Sequence, residues 1–212
     1  MEQFINHYRK ETDKKYDRIV TRFTNCLTHP VRNQETALGN LMADILCDSL
    51  GIDLMLMGSG AIRSYELGPV VHYQDLVECL PYDEAVYMLQ VNGTQLERML
   101  RRILREEAFE GEHTEFYQFS HGMQIIWSRG QQEFETLTLN GKALDQQKLY
   151  TIALSKFHYM NIQNFLNISL EEIKINAPPR VLATSYRDIV EEYMMMNPHL
   201  SSEVEGRLIV KT

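Results

Sequence analysis

The sequence predicts an α+β domain, and three observations carry that prediction. Helical apolar periodicity recurs beside short apolar or alternating runs, without the strict strand–helix alternation of a doubly wound parallel sheet. Two Asn-Gly pairs, Asn92-Gly93 and Asn140-Gly141, stand at the ends of strand-like runs and read as turns. No fixed-period repeat and no linker-like composition divides the 212 residues, which suffice for one sizeable core.

The elements follow in order. Residues 1–20 read as a linker-like segment, with a highly charged helix over 4–20, ahead of a domain over 21–212. Residues 36–50 carry Leu38, Leu41, Met42, Ile45, Leu46 and Leu50 at helical spacing, and Gly51 stops them. Asp53–Met57 is a buried strand that runs into a Gly58-Ser59-Gly60 loop. A short helix over 73–79 ends before Pro81, and Ala85–Val91 alternates as a strand. Residues 94–107 form a helix capped by Thr94, with Glu97 three positions on. The 108–115 stretch is a polar loop. Strands are predicted at Met123–Trp127, Phe134–Leu139, Tyr150–Leu154 and Arg207–Val210, and a late helix over 184–196 after the Pro178-Pro179 loop.

Composition narrows the function. Hydrophobic residues at 44% and charged residues at 24% are ordinary for a folded domain. The formal net charge of -8 argues against nucleic acid as a partner, because each phosphate needs a cation. A single small phosphate ester needs only a few local arginines. No apolar run is long enough to span a bilayer, and the charged N-terminus is not a signal peptide. The three cysteines, Cys26, Cys47 and Cys79, are widely spaced and odd in number. Free thiols in a reducing, cytoplasmic setting are expected.

No catalytic residue and no metal ligand is assigned. None of the seven histidines sits in HxH, HExxH or DxH spacing. There is no GxSxG elbow, and Ser59 in Gly-Ser-Gly has no base near it in sequence. Gly58–Arg63 (GSGAIR) lacks the GK[ST] of a phosphate loop and the GxGxxG of a dinucleotide site. What remains is a binding constellation. Small residues after a buried strand let backbone approach a ligand, and Arg63 sets a planar cation at the loop's end. A plain strand-to-helix turn with a surface arginine fits the same residues.

Five segments together resemble the C-terminal domain of the 5'-nucleotidase and UDP-sugar hydrolase family. They are Glu35–Asp44 (ETALGNLMAD), Gly58–Arg63, Leu80-Pro81-Tyr82, Gln118–Met123, and Val204–Arg207 (VEGR), in the family's order over about residues 20–210. The resemblance implies a layered α/β/β/α arrangement and a domain that grips the nucleotide. Hydrolysis would fall to a separate N-terminal metallophosphoesterase domain holding two divalent metal ions. This chain would need no cofactor of its own and would not cut the phosphate alone.

Carried over by position, the resemblance assigns Arg32 and Arg63 to phosphate or ribose, and Tyr82 to one face of the base. It assigns Phe165 to the other face, Gly122 to a backbone contact with the base, and Glu171 to the ribose hydroxyls. Two aromatic rings facing each other about 7 Å apart would mark such a clamp. The segment departs from the family at Gly58, where Asn is usual, at Asn161–Phe165 in place of GGDGF, and at Asp83-Glu84 beside the first ring. One of His121 and His158 is expected to contact the ligand. A non-catalytic docking module that has lost the nucleotide site is the rival reading.

Overall fold

The computed structural model describes residues 16–110 and 115–212. The helix expected over 4–20 falls mostly outside them. Its predicted end is instead strand β1 (Ile19–Arg22), followed by β2 (Leu27–Thr28). The β-branched Ile19 and Val20 suit the pairing of β1 with β5 (Val70–His72).

Helix α1 (Ala37–Leu50) forms where the periodicity places it. The Thr36 hydroxyl accepts from Gly39 N at 3.1 Å, and Gly51 ends the helix at φ 63°. Strand β3 (Leu54–Gly58) is buried along its whole length. Its alternate residues divide the interior: Leu54 and Leu56 face one core, Met55 and Met57 the other. After β4 (Glu66–Leu67) comes α2 (Tyr73–Cys79), then β6 (Val86–Asn92).

Asn92-Gly93 does not make a turn. Strand β6 passes straight into α3 (Gly93–Ile103), and Asn92 and Gln95 cap each other's backbone N–H groups at 2.9 and 2.8 Å. Thr94, the expected cap, donates instead to Gln146 Oε1 at 2.8 Å. A Cβ on Gly93 would stand 2.2 Å from the Asp145 carbonyl oxygen, so this junction needs glycine for closeness rather than for a turn. Asn140-Gly141 does form a two-residue turn, with φ 53° and 72°, between β9 (Glu133–Leu139) and β10 (Lys142–Ala143).

The remaining strands are β7 (Tyr117–Phe119), β8 (Met123–Ser128), β11 (Leu149–Ser155), β12 (Arg180–Ala183) and β13 (Leu208–Lys211). Three short helices, α4 (Lys156–Met160), α5 (Ile162–Leu166) and α6 (Leu170–Asn176), precede α7 (Tyr186–Met196). The larger sheet runs β12-β6-β11-β3-β7, with β11 parallel to β3 and antiparallel to β6. The smaller runs β10-β9-β8-β13. One face of the larger sheet packs on α1 and α7, and the other on α3 and the smaller sheet. This is the α+β fold expected.

Three of the motif segments meet as scaffold. Arg207 donates to both Asp44 carboxylate oxygens at 2.6 and 2.7 Å, to Glu205 at 2.8 Å and to the Phe119 carbonyl at 2.9 Å. Glu35 accepts from Asn40 Nδ2 and from the backbone N–H groups of Glu205 and Leu208. The last strand is thereby tied to α1.

Candidate functional site

The loop after β3 is held from beneath by a buried polar network. Ser59 is 1% exposed, and its N–H donates to the Phe116 carbonyl at 2.8 Å. Gln118 donates to Ser59 Oγ and to the Gln34 carbonyl, both at 2.9 Å, while its oxygen accepts from Thr36 N at 3.1 Å. His29 Nε2 meets the Ser59 carbonyl at 3.1 Å, and Nδ1 meets Thr36 Oγ1 at 2.8 Å. A carbonyl only accepts, so Nε2 carries the proton and Nδ1 accepts from the threonine hydroxyl. Burial holds His29 below the usual histidine range, the Ser59 carbonyl opposes that in part, and nearby Arg32 adds to it. These bonds fix the Ser59–Ala61 turn.

Above the turn opens a cleft of about 360 Å³, within the usual range for small-molecule sites. Arg32, Gly60, Ala61 and Arg63 line one part of it, and Tyr82, Glu84, Glu115, Phe157 and His158 the rest. The rings of Tyr82 and Phe157 are 58% and 48% exposed, high for residues of their kind. The Arg63 guanidinium sits 5.8 Å from the Tyr82 ring centre. Neither Arg32 nor Arg63 forms an ion pair among the described residues.

The two acids after Tyr82 have separate tasks. Asp83 turns away and accepts from Ser185 Oγ and Arg187 N at the start of α7. Glu84 faces the cleft, and its Oε2 accepts from Phe157 N at 2.9 Å. It thereby positions the start of α4 and the Phe157 ring. His158, one residue on, is 3% exposed, between Ser155 Oγ at 3.0 Å and Glu115 Oε2 at 3.2 Å.

Four of the residues singled out by sequence meet at this cleft: Arg32, Arg63, Tyr82 and His158. Phe165 does not line it. Its ring packs behind, with centres 5.6 Å from Phe157 and 5.8 Å from His158, against the core. Gly122 also lies elsewhere, in the turn between β7 and β8 at φ 82°, its carbonyl accepting from Asn140 N. His121 there pairs with Asp48 at 2.6 Å. Glu171 is exposed on the first turn of α6, beside Glu172, which binds Arg98 and Gln95. Phe157 and Glu115 line the cleft without having been singled out. The only local signal for Phe157 was an aromatic three residues after the YTIAL strand.

Among the described residues no group of three or more His, Cys, Asp and Glu is placed to hold a metal ion. No helix among them is long and apolar enough to cross a membrane.

The structure is thus a layered α+β domain with an open cleft above the loop that follows β3. The family profile described as "5'-nucleotidase, C-terminal domain" matches residues 17–169, so the chain belongs to that family. No curated protein matches. The fold is similar to a 5'-nucleotidase precursor of Thermus thermophilus, at TM-score 0.76 and 16% identity, over 99% of this chain and 42% of that one. It is also similar to the NAD nucleotidase of Haemophilus influenzae, at 0.78 and 13%, over 100% of this chain and 41% of that one. A third similar structure is the sulfate thiohydrolase of Thermus thermophilus, at 0.71 and 13%, covering 99% and 38%. The chain thus spans about two fifths of the solved chains it resembles.

Proposed function

We propose that this chain binds the base and sugar of a nucleoside or nucleotide in the cleft, as the substrate-binding part of a 5'-nucleotidase-type phosphohydrolase. The observation that carries the reading is two exposed aromatic rings, Tyr82 and Phe157, on one cleft with two arginines that form no ion pair among the described residues. A flat base with apolar faces takes such rings, with stacking of about 1–3 kcal/mol per base. Arg32 and Arg63 supply bidentate donors to a phosphate or to ribose oxygens. Phe157 takes the place that the resemblance assigned to Phe165, and Phe165 supports it from behind.

Hydrolysis belongs, on this reading, to a metallophosphoesterase domain acting in cis or in trans, which would supply two divalent ions. That domain would contribute what this cleft lacks, an activated water at phosphorus. The test is calorimetric titration of this chain with a panel of nucleosides and 5'-nucleotides, together with an AMP turnover assay in added Mn²⁺ or Mg²⁺. Saturable binding without turnover is expected. An absence of binding across the panel would leave the docking-module reading in its place, and real turnover would refute the division of labour.

A further inference from the structure

We propose that Glu115, held by His158 on the floor of the cleft, determines specificity and selects a base with an exocyclic amine over one with an oxo group. The inference rests on the nucleoside-binding reading above and deepens it. An ionised carboxylate only accepts hydrogen bonds, so the ligand edge that meets it must donate. An oxo group there would set lone pairs against negative charge.

Glu115 is oriented before any ligand arrives. His158 Nε2 holds one of its oxygens at 3.2 Å, and the other accepts no hydrogen bond among the described residues. The imidazole is itself fixed on three sides. Ser155 Oγ lies 3.0 Å from Nδ1, the Tyr117 ring meets the imidazole edge-on at 5.0 Å, and the Gly58 backbone leaves no room behind it. Glu84 is not equivalent, because its Oε2 already holds the Phe157 backbone.

The charges agree with a neutral nucleoside edge. Among the described residues, two arginines and two carboxylates line the same cleft, so their formal charges balance without a ligand anion, apart from His158. The arginines, as pure donors, cannot accept from an amine, and the carboxylates are the charged acceptors that line the cleft.

Adenosine and inosine share ribose and ring faces but differ at this edge. Each is titrated calorimetrically onto the full chain. Adenosine is expected to bind about tenfold to a hundredfold more tightly, the range of one hydrogen bond to a charged group. Glu115→Gln presents an amide that can donate or accept, and it should bring the two affinities together. His158→Asn should also narrow the ratio, whereas a merely structural role would weaken both ligands alike. Equal affinities on the unsubstituted chain, or a full preference surviving in Glu115→Gln, overturn the proposal and leave nucleoside binding standing. If neither nucleoside binds, both readings fall together.

Discussion

A Cβ on Gly58 would stand 2.0 Å from Cε1 and 2.5 Å from Nε2 of His158, so the imidazole occupies the space of any side chain at position 58. Glycine at the head of this loop and the histidine a hundred residues later thus fit one another. Gly58→Ala should therefore destabilise the fold by about 2 kcal/mol, as overpacking does. Urea unfolding measures it. Adding His158→Ala should recover part of the loss, and a strictly additive pair would disprove the steric account.

The rings divide into cleft and support. Tyr82→Ala and Phe157→Ala should each weaken nucleoside binding by about 1–3 kcal/mol while leaving the melting temperature nearly unchanged, since both rings are about half exposed. Phe165→Ala should instead lower the melting temperature, because that ring packs on the core. Reversal of this pattern would return Phe165 to the role that the resemblance assigned it.

Arg207 should be costly to remove. Its side chain is 4% exposed, whereas Asp44 keeps 23%, so solvent softens the loss. Arg207→Ala is expected to cost about 3 kcal/mol, near the low end for breaking a buried pair. Arg207→Lys should not rescue it, because a point charge cannot serve both Asp44 oxygens, Glu205 and the Phe119 carbonyl together. Chemical denaturation of the three proteins decides the matter.

His29 should make stability depend on pH. Its folded value is lowered from 6.5, so the unfolded chain binds the extra proton first as pH falls. This contribution is complete above about pH 6.5 and is lost as pH drops from there through the lowered folded value. Unfolding free energies between pH 7.5 and 5 should fall more steeply for the native chain than for His29→Gln. Identical slopes would mean that His29 is not held neutral by the Thr36–Ser59 network.

Thiol labelling gives an independent check of packing. Burial pushes the Cys79 thiol up to about 12, and Cys47 is buried as well. Only Cys26, half-buried, should react with a neutral alkylating reagent in the folded protein, and all three should react in urea. Rapid labelling of Cys79 under native conditions would contradict its burial.

Much of the architecture was legible because it is local. The apolar stripe of α1, the Gly51 stop, the Asn140-Gly141 turn and the buried run of β3 depend on residues within a few positions of each other. Asn92-Gly93 misled for a related reason. The same short amide that favours a tight turn also caps a helix, and only the neighbouring Gln95 and the approach of Asp145 decide between them. The segment over 156–177 shows no strong period, because α4, α5 and α6 have only five to seven residues each. The two- to four-residue strands β1, β2, β4 and β12 were missed for the same want of length.

By itself the sequence determined the α+β class, the family and the loop with Arg63 and Tyr82 beside it, since these follow from periodicity and motif order. Only the tertiary structure decided which aromatic faces the cleft. Phe157 and Phe165 are eight positions apart on two short helices, and their exposure depends on Glu84 holding the start of α4 from a distant strand end. It also decided that Asp44, Glu35 and Arg207 are scaffold, and that Glu115 and His158 form a pair. Such contacts join residues tens to more than a hundred positions apart, and no local spacing encodes them.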